Sequence, residues 1–361
     1  MNTIWKYERF LPQVAEPYRV LLGEGQTPLV KSKSIGKALG INNLYFKLEN
    51  LNPTGSYKDR FASILVSEMV ARGQKVCIAT SSGNTGAALA AYCAAAGIIC
   101  IIVVVDGAPL PKVKQMQLYG AHILMVKGFG KDPEVTARIF DELETISKAQ
   151  GLPLPISGYR YCPSAMQGVQ TIGYEIAEEL GDKNCHIFSP AGGGGLTLAV
   201  TKGVLTGGNS ATTKVSCVQP EGNDTIASAI RELRAHANAV KYSTTAVSGL
   251  QVANVLDGDA VVGNVRLLGG NGYVVADEAV FGWQKALARQ EGIFCEPAAA
   301  VALSGLSLAL KRQEVDQDDA VVCLITGSGF KDMLSVENNF SLAAVSPLDE
   351  KVAIESILKF L

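Results

Sequence analysis

The chain has 361 residues, of which 48% are hydrophobic and 18% are charged, and its 32 Lys and Arg residues against 34 Asp and Glu residues give a net charge of -2. A chain of this length and composition can bury a large core, which excludes intrinsic disorder. The balanced charge lacks both the basic stripe of a nucleic-acid-binding protein and the polybasic patch that binds a membrane surface. We therefore expect no nucleic acid and no membrane among its partners.

The eight cysteines occur singly and mostly in apolar runs, and no two of them form a CxxC pair. This pattern is typical of buried thiols in a reducing compartment rather than of disulfides or a zinc site. Because the chain has three histidines, a His-rich metal site is not expected either, and we predict no metal. The first residues lack the basic-then-apolar pattern of a secretory signal, so we expect a cytoplasmic protein.

Strands and helices are predicted to alternate along the chain. The first predicted pair is a strand at 76–80 and an Ala-rich helix at 84–96 that ends at Gly97, and a strand at 98–105 follows. The apolar run 87–105 is long enough to span a bilayer, but a helix followed by a strand buried on both faces explains it better.

The same alternation continues downstream. The pattern predicts helices at 113–119, at 132–149 and from the glycine run to about 204, and strands at 122–126, 186–189, 214–219 and 320–325. Such alternation builds right-handed βαβ units and a mostly parallel sheet. Because the Gly- and Pro-rich stretch 151–158 marks a boundary, we predict an α/β protein of two lobes, each a mostly parallel twisted sheet flanked by helices. The smaller lobe is placed at 54–157, and the larger lobe comprises 1–53 plus 158–361.

Four turns rich in Gly and hydroxyl residues are candidates for ligand binding, because ligands of parallel sheets bind where strands end and helices begin. The first, at 52–60, places Lys58 in the first turn of a helix. The helix dipole opposes a cation there and lowers the pKa of the amine, as a nucleophilic lysine requires. A solvated surface lysine is the ordinary alternative.

The other three turns offer groups for anions. SSGNTG at 81–86 combines hydroxyls, an amide and N–H groups at a helix start, more than a simple helix cap needs, and predicts a cradle for a carboxylate or phosphate. Four successive glycines, Gly192, Gly193, Gly194 and Gly195, allow backbone N–H groups to close around a phosphate, without the spacing of dinucleotide or NTPase loops. The fourth turn begins with Thr326 at a predicted strand end.

Together these turns describe an aromatic carbonyl ligand that carries a phosphate, which is pyridoxal 5′-phosphate. In these features the chain resembles the fold-type II pyridoxal-phosphate enzymes of the tryptophan synthase β-like superfamily, and among them the threonine synthases. The resemblance rests on GEGQTPL (23–29), LENLNPTGSYKDR (48–60), SSGNTGAALAAY (81–92), EGIFCEPAAA (291–300) and LITGSGFKD (324–332).

The resemblance implies a role for each turn. Lys58 would be the Schiff-base lysine and Thr326 would face the pyridine nitrogen, where a neutral hydroxyl favours loss of a β-substituent over transamination. Asn84 would bond the ring hydroxyl, and the glycine run would hold the phosphate. The substrate carboxylate would be surrounded by Ser81, Ser82 and Thr85. A homodimer is also implied, in which the apolar start of the chain (Ile4, Trp5, Phe10, Leu11 and Val14) either reaches onto the partner or packs on its own chain.

This sequence also departs from the threonine synthase pattern. Those enzymes are expected to carry an NPxRxEGQK loop whose Arg and Lys hold the substrate phosphate, whereas here Ala165 and Gln170 stand at those positions. Arg160 is the nearby candidate to replace them. The GGGGL loop is more similar to that of serine and threonine dehydratases, and Phe61 stands where a glycine is usual.

We therefore expect a pyridoxal-phosphate lyase or synthase of amino-acid biosynthesis that eliminates or replaces a β- or γ-substituent on a small amino acid. The nearest family reaction converts O-phosphohomoserine and water into threonine and phosphate. The alternatives are β-elimination of the serine or threonine dehydratase type, and β-replacement of the cysteine or cysteate synthase type. A non-catalytic cofactor-binding homologue would not need Lys58.

Overall fold

A computed structural model of the protein describes residues 3–151, 153–342 and 345–358. The strands are β1 (Leu29–Lys31), β2 (Leu44–Lys47), β3 (Val76–Thr80), β4 (Ile99–Val104), β5 (His122–Met125), β6 (Cys185–Pro190), β7 (Thr213–Pro220), β8 (Gly272–Val275) and β9 (Ala320–Leu324). The larger sheet has six strands in the order β1-β2-β9-β6-β7-β8, and the smaller sheet has three in the order β3-β4-β5. All neighbours are parallel except β1 and β2.

Helices separate most successive parallel strands. They are α1 (Ile35–Leu39), α2 (Lys58–Ala71), α3 (Asn84–Ala96), α4 (Leu110–Leu118), α5 (Pro133–Ala149), α6 (Gln167–Leu180), α7 (Gly195–Gly207), α8 (Ala227–Arg231), α9 (Gly258–Leu267), α10 (Asp277–Ala286), α11 (Pro297–Lys311), α12 (Met333–Asn339) and α13 (Glu350–Leu358). The predicted α/β fold with two mostly parallel sheets is confirmed. The predicted helix at 113–119 begins three residues earlier, at Leu110.

The two sheets follow the proposed division of the chain. All three strands of the smaller sheet lie within 54–157, and the six strands of the larger sheet lie outside it. The boundaries themselves stay a prediction. One hydrophobic core cluster contains residues of α2, α3, α6 and α7 together with strands of both sheets.

The apolar run 87–105 comprises most of α3, a turn at Gly97 and β4, as expected for a helix and strand of a buried sheet. Residues of α3 such as Leu89 and Tyr92 have no exposed surface. Across the described ranges, none of the helices combines the length and apolarity that a bilayer crossing requires.

The start of the chain packs on its own core. Ile4 and Trp5 are buried, and the Trp5 indole N–H donates to Ser63 Oγ (3.3 Å). Leu11 and Val14 are buried in the same cluster. An arm reaching onto a partner subunit is therefore wrong for these residues, because their apolar surface is already covered by α2 and its neighbours.

All eight cysteines are buried and free, as their apolar surroundings predicted. The sequence did not indicate that three of them would meet. The Sγ atoms of Cys77, Cys93 and Cys100 lie within 4.8 Å of one another, because β3 and β4 pair in register under α3.

Candidate active site

A cavity of about 260 Å³ lies where the strands of both sheets end. Its wall is formed by the turns that follow β3, β6 and β9, by the start of α2, and by two further segments around 156–157 and 249–257. The N–H of Tyr57 donates to the carbonyl of Thr326 (3.1 Å), so the start of α2 is held against the end of β9. Parallel strands therefore bring all four predicted turns to one cavity.

Lys58 is the first residue of α2 and points into this cavity. Its Nζ donates to Ser157 Oγ (2.5 Å), and Ser157 Oγ lies 3.0 Å from Thr85 Oγ1. Burial lowers the pKa of Lys58 to about 7, against the opposing effect of the nearby carboxylates of Glu296 and Asp257. The pKa shift has the direction expected from the helix dipole, but its main cause is loss of hydration.

The turn after β3 contributes most of its predicted residues. Ser81, Asn84 and Thr85 line the cavity. Ser82 does not, since its Oγ accepts the N–H of Val105 (3.0 Å) and ties the turn to the end of β4. The structure thus brings together two of the three hydroxyls assigned to the substrate carboxylate.

Asn84 is held by a residue that the sequence reasoning did not single out. Its Nδ2 donates to both carboxylate oxygens of Glu296 (3.0 Å each), and its Oδ1 is buried without a hydrogen-bond partner among the described residues. Glu296 lies against Gly327, where any side chain would collide with the carboxylate. The EGIFCEPAAA stretch contained Glu296, so the resemblance carried a signal for it.

The glycine run forms the predicted strand-to-helix loop between β6 and α7. Gly194 has φ 95°, which suits glycine, and α7 begins at Gly195. Within the described chain, the N–H groups of the four glycines donate to no other residue. A Cβ on Gly193 would lie 2.8 Å from Leu256 Cδ1, so the run also allows the 249–257 segment to approach.

Pyridoxal phosphate fits the groups on this wall. Thr326 Oγ1 is buried and, within the described ranges, has no hydrogen-bond partner. The N–H groups of the glycine run stand at a helix N-terminus, which suits a phosphate. Lys58 is an amine with a lowered pKa in the same cavity. Each part of the cofactor thus has a matching group.

The three residues considered for a substrate-phosphate clamp lie elsewhere. Ala165 is buried in the core, and Gln170 bonds to the hydroxyls of Tyr159 (2.8 Å) and Tyr174 (3.1 Å). Arg160 is exposed, and its side chain lines a separate hollow beside Glu144. None of these three side chains lines the Lys58 cavity.

Two further site residues were missed. Ser157, whose hydroxyl accepts a hydrogen bond from Lys58, lies in the stretch 151–158, which the sequence marked only as a boundary between lobes. Asp257 lines the cavity and accepts the N–H groups of Tyr159 (2.8 Å) and Arg160 (3.1 Å), and burial raises its pKa. No local pattern marked Asp257, because its partners are distant in sequence.

The charges on the cavity wall are unequal. Among the described residues that line it, Lys58 is the only cation, whereas Asp257 and Glu296 are both carboxylates. The wall therefore offers no second cation to an anionic group on a substrate.

Comparison with known proteins gives a consistent result. The family described as "Pyridoxal-phosphate dependent enzyme" matches residues 20–327. The threonine synthase of Methanocaldococcus jannaschii is 34% identical over 91% of this chain and 80% of its own, and that of Halalkalibacterium halodurans is 30% identical over 98% and 96%. The solved structure of threonine deaminase isoform 2 from Solanum lycopersicum superposes with a TM-score of 0.73 at 21% identity, covering 95% of this chain and 94% of that one, and supports the fold. Because the family match and these relatives span most of the sequence, the chain belongs to the pyridoxal-phosphate dependent enzymes of fold type II, as a threonine synthase-like lyase whose cofactor is pyridoxal phosphate.

Proposed function

We propose that the enzyme eliminates or replaces a weakly charged β-substituent on a small amino acid of the serine or threonine type. The observation that carries this proposal is the charge on the cavity wall, where Lys58 is the one cation among the described lining residues and faces two carboxylates. Hydroxide or acetate as a leaving group needs no further cation, whereas a phosphate leaving group needs a second cation.

The electrostatic argument concerns the cost of enclosing a dianion. A phosphate ester loses its hydration in a cavity and must regain charge-assisted hydrogen bonds, each worth about 1.5–3 kcal/mol. Lys58 is engaged by the cofactor in this family, and Ala165, Gln170 and Arg160 do not reach the cavity. A phosphorylated substrate would therefore bind at a disadvantage of about 10²-fold or more.

The side chains divide the remaining work. Lys58 would hold the cofactor, the N–H groups of the glycine run would bind its phosphate, and Thr326 and Asn84 would meet its ring. Bound pyridoxal phosphate supplies an electron sink for the substrate α-carbon. Lys58, with a pKa lowered to about 7, can take and return a proton near neutral pH.

Ser157 positions this amine. Its hydroxyl lies between Lys58 Nζ (2.5 Å) and Thr85 Oγ1 (3.0 Å), so the three heteroatoms form a chain along which a proton can pass. Thr85 and Ser81 stand at the N-terminus of α3, where the substrate carboxylate would be bound by hydroxyls and N–H groups.

The second candidate is the threonine synthase reaction on O-phosphohomoserine. It is favoured by the names of the relatives, which are 28–34% identical to this chain. The family resemblance supports the shared scaffold and cofactor, whereas the missing cations concern the leaving group alone.

A matched pair of substrates separates the candidates. O-acetylserine and O-phosphoserine share a carbon skeleton and differ in the charge of the leaving group, and serine, threonine and O-phosphohomoserine complete the panel. We expect kcat/KM to be about 10²-fold higher for O-acetylserine than for O-phosphoserine, with O-phosphohomoserine equally poor. Efficient threonine formation from O-phosphohomoserine would overturn the proposal. Its loss in Arg160→Ala would then show that Arg160 reaches the leaving group.

A further inference from the structure

A second hollow, of about 460 Å³, lies on the far side of the loop that carries Lys58. It is formed by residues 50–55, by the start of α4, and by the segment that follows Thr326. The two charged residues on its wall are both lysines, Lys112 and Lys331, and each has less than a tenth of its surface exposed.

Lys112 is buried, and among the described residues it has one ion-pair partner, Glu296. Its Nζ donates no hydrogen bond to any described residue, and its nearest carboxylate oxygen, Glu296 Oε2, is 4.0 Å away. Burying a charge is costly unless it is paired and hydrogen-bonded. A bound anion would supply the direct hydrogen bond that the Glu296 carboxylate, at 4.0 Å, does not give to Lys112.

Lys331 provides the second positive charge. Its Nζ donates to the carbonyl of Thr54 (2.7 Å) and to Gln115 Oε1 (2.9 Å), neither of which is charged. Burial, together with the nearby charge of Lys112, lowers its pKa to about 8, and the carboxylates of Glu296 and Asp59 oppose the shift. The two ammonium groups repel each other, and the carboxylates of Glu296 and Asp59 offset part of that repulsion.

Two neutral groups complete the hollow. Helix α4 begins at Leu110 beside it without a side-chain cap, and because Pro111 has no N–H, the amides of Leu110 and Lys112 are the donors that its first turn offers. Asn50 Oδ1 is buried on the same wall and, among the described residues, has no hydrogen-bond partner. A small oxyanion that also presents a hydroxyl would use all of these groups.

We propose that this hollow binds a dianion of the phosphate class through Lys112 and Lys331, separately from the cofactor phosphate. The anion would share Lys112 with Glu296, which in turn holds Asn84 in the catalytic cavity. The hollow is thus electrostatically linked to the active site. This proposal does not depend on which substrate the enzyme uses.

The test is a calorimetric titration of the enzyme saturated with pyridoxal phosphate, so that the glycine run is already occupied. We expect inorganic phosphate to bind with one saturable site per chain. Lys112→Met and Lys331→Met should each weaken binding about tenfold or more, since each removes a charge-assisted contact. Lys114→Met, on the exposed face of the same helix, is the matched control and should leave the affinity unchanged.

Two further titrations, with other anions, test which part of the ligand the hollow recognises. Glycerol 3-phosphate distinguishes free phosphate from a phosphate ester, because tighter binding of the ester would show that Asn50 or the rim recognises the organic part. Sulfate keeps its charge from pH 7 to pH 10, so its affinity should fall as the pH rises through about 8 and Lys331 loses its proton.

Lys112→Met decides the proposal even if Lys331→Met folds poorly, because Lys112 loses no hydrogen bond to a described residue and gives up one ion pair, to Glu296 at 4.0 Å. Wild-type cofactor absorbance and thermal transition establish that the variant is folded. Absence of saturable phosphate binding overturns the proposal. So does wild-type affinity in a folded Lys112→Met variant.

Discussion

The lowered pKa of Lys58 predicts how the apo-protein captures its cofactor as a function of pH. Only the neutral amine attacks a carbonyl, and at pH 7 about half of Lys58 would be neutral if its pKa is about 7. An ordinary lysine with a pKa of about 10.4 would be neutral to less than about 0.1% at this pH. The structure therefore predicts an advantage of about 10³-fold at neutral pH.

The assay mixes apo-protein with pyridoxal phosphate and follows the yellow absorbance from pH 5.5 to pH 10. The capture rate should rise about tenfold per pH unit below 7 and level off above it. Borohydride reduction and peptide mapping should place the label on Lys58. Asp257→Asn should move the midpoint to lower pH, because the Asp257 carboxylate raises the pKa of Lys58. A rate that keeps rising through pH 9 would refute the reasoning, since it would mean that the amine is hydrated.

Three other predictions concern the scaffold and the assembly. Arg60→Met should reduce the free energy of unfolding by about 3–5 kcal/mol in urea titrations, because it leaves the buried carboxylate of Glu49 without its cation and that of Glu175 with Lys47 alone. Arg72→Met, on the exposed end of the same helix, should have little effect. Gly194→Val should raise the dissociation constant of pyridoxal phosphate steeply in equilibrium dialysis, since valine resists φ 95° and would displace the phosphate loop. An unchanged dissociation constant would show that this loop does not bind the cofactor. The enzyme should sediment as a homodimer, and a single chain at micromolar concentration would contradict this.

The parts of the fold that could be predicted from the sequence are those set by local chemistry. The strand at 76–80 and the helix at 84–96 match β3 and α3. Both could be predicted because the strand is rich in β-branched residues, the helix is rich in Ala, and each ends at a Gly or Ser. The contacts of Lys58 could not be predicted in the same way. Ser157 comes from a segment 99 positions away and Asp257 from one farther still, and only the packing of both sheets brings them to one wall.

The motifs that carry the resemblance are mostly concerned with the scaffold. In the KDR triplet, Lys58 lines the cavity, whereas Asp59 accepts hydrogen bonds from Thr54 (2.6 and 2.8 Å) and Arg60 is buried between two glutamates. These contacts position Lys58 but do not involve a substrate. Relatives can therefore share the motifs and the cofactor while they differ in substrate.

Residues outside the motifs should accordingly set the leaving group, and Asp257 provides the test. It is a carboxylate on a wall whose one described cation is Lys58, so it repels a phosphorylated substrate. Removing this one negative charge should lower the energy of a dianion bound across a cavity of this size by more than about 1.4 kcal/mol. Asp257→Asn should therefore raise the ratio of kcat/KM for O-phosphoserine to that for O-acetylserine by about tenfold or more, while the asparagine carbonyl can still accept a backbone N–H from the 159–160 turn. An unchanged ratio would show that the leaving group does not meet this wall.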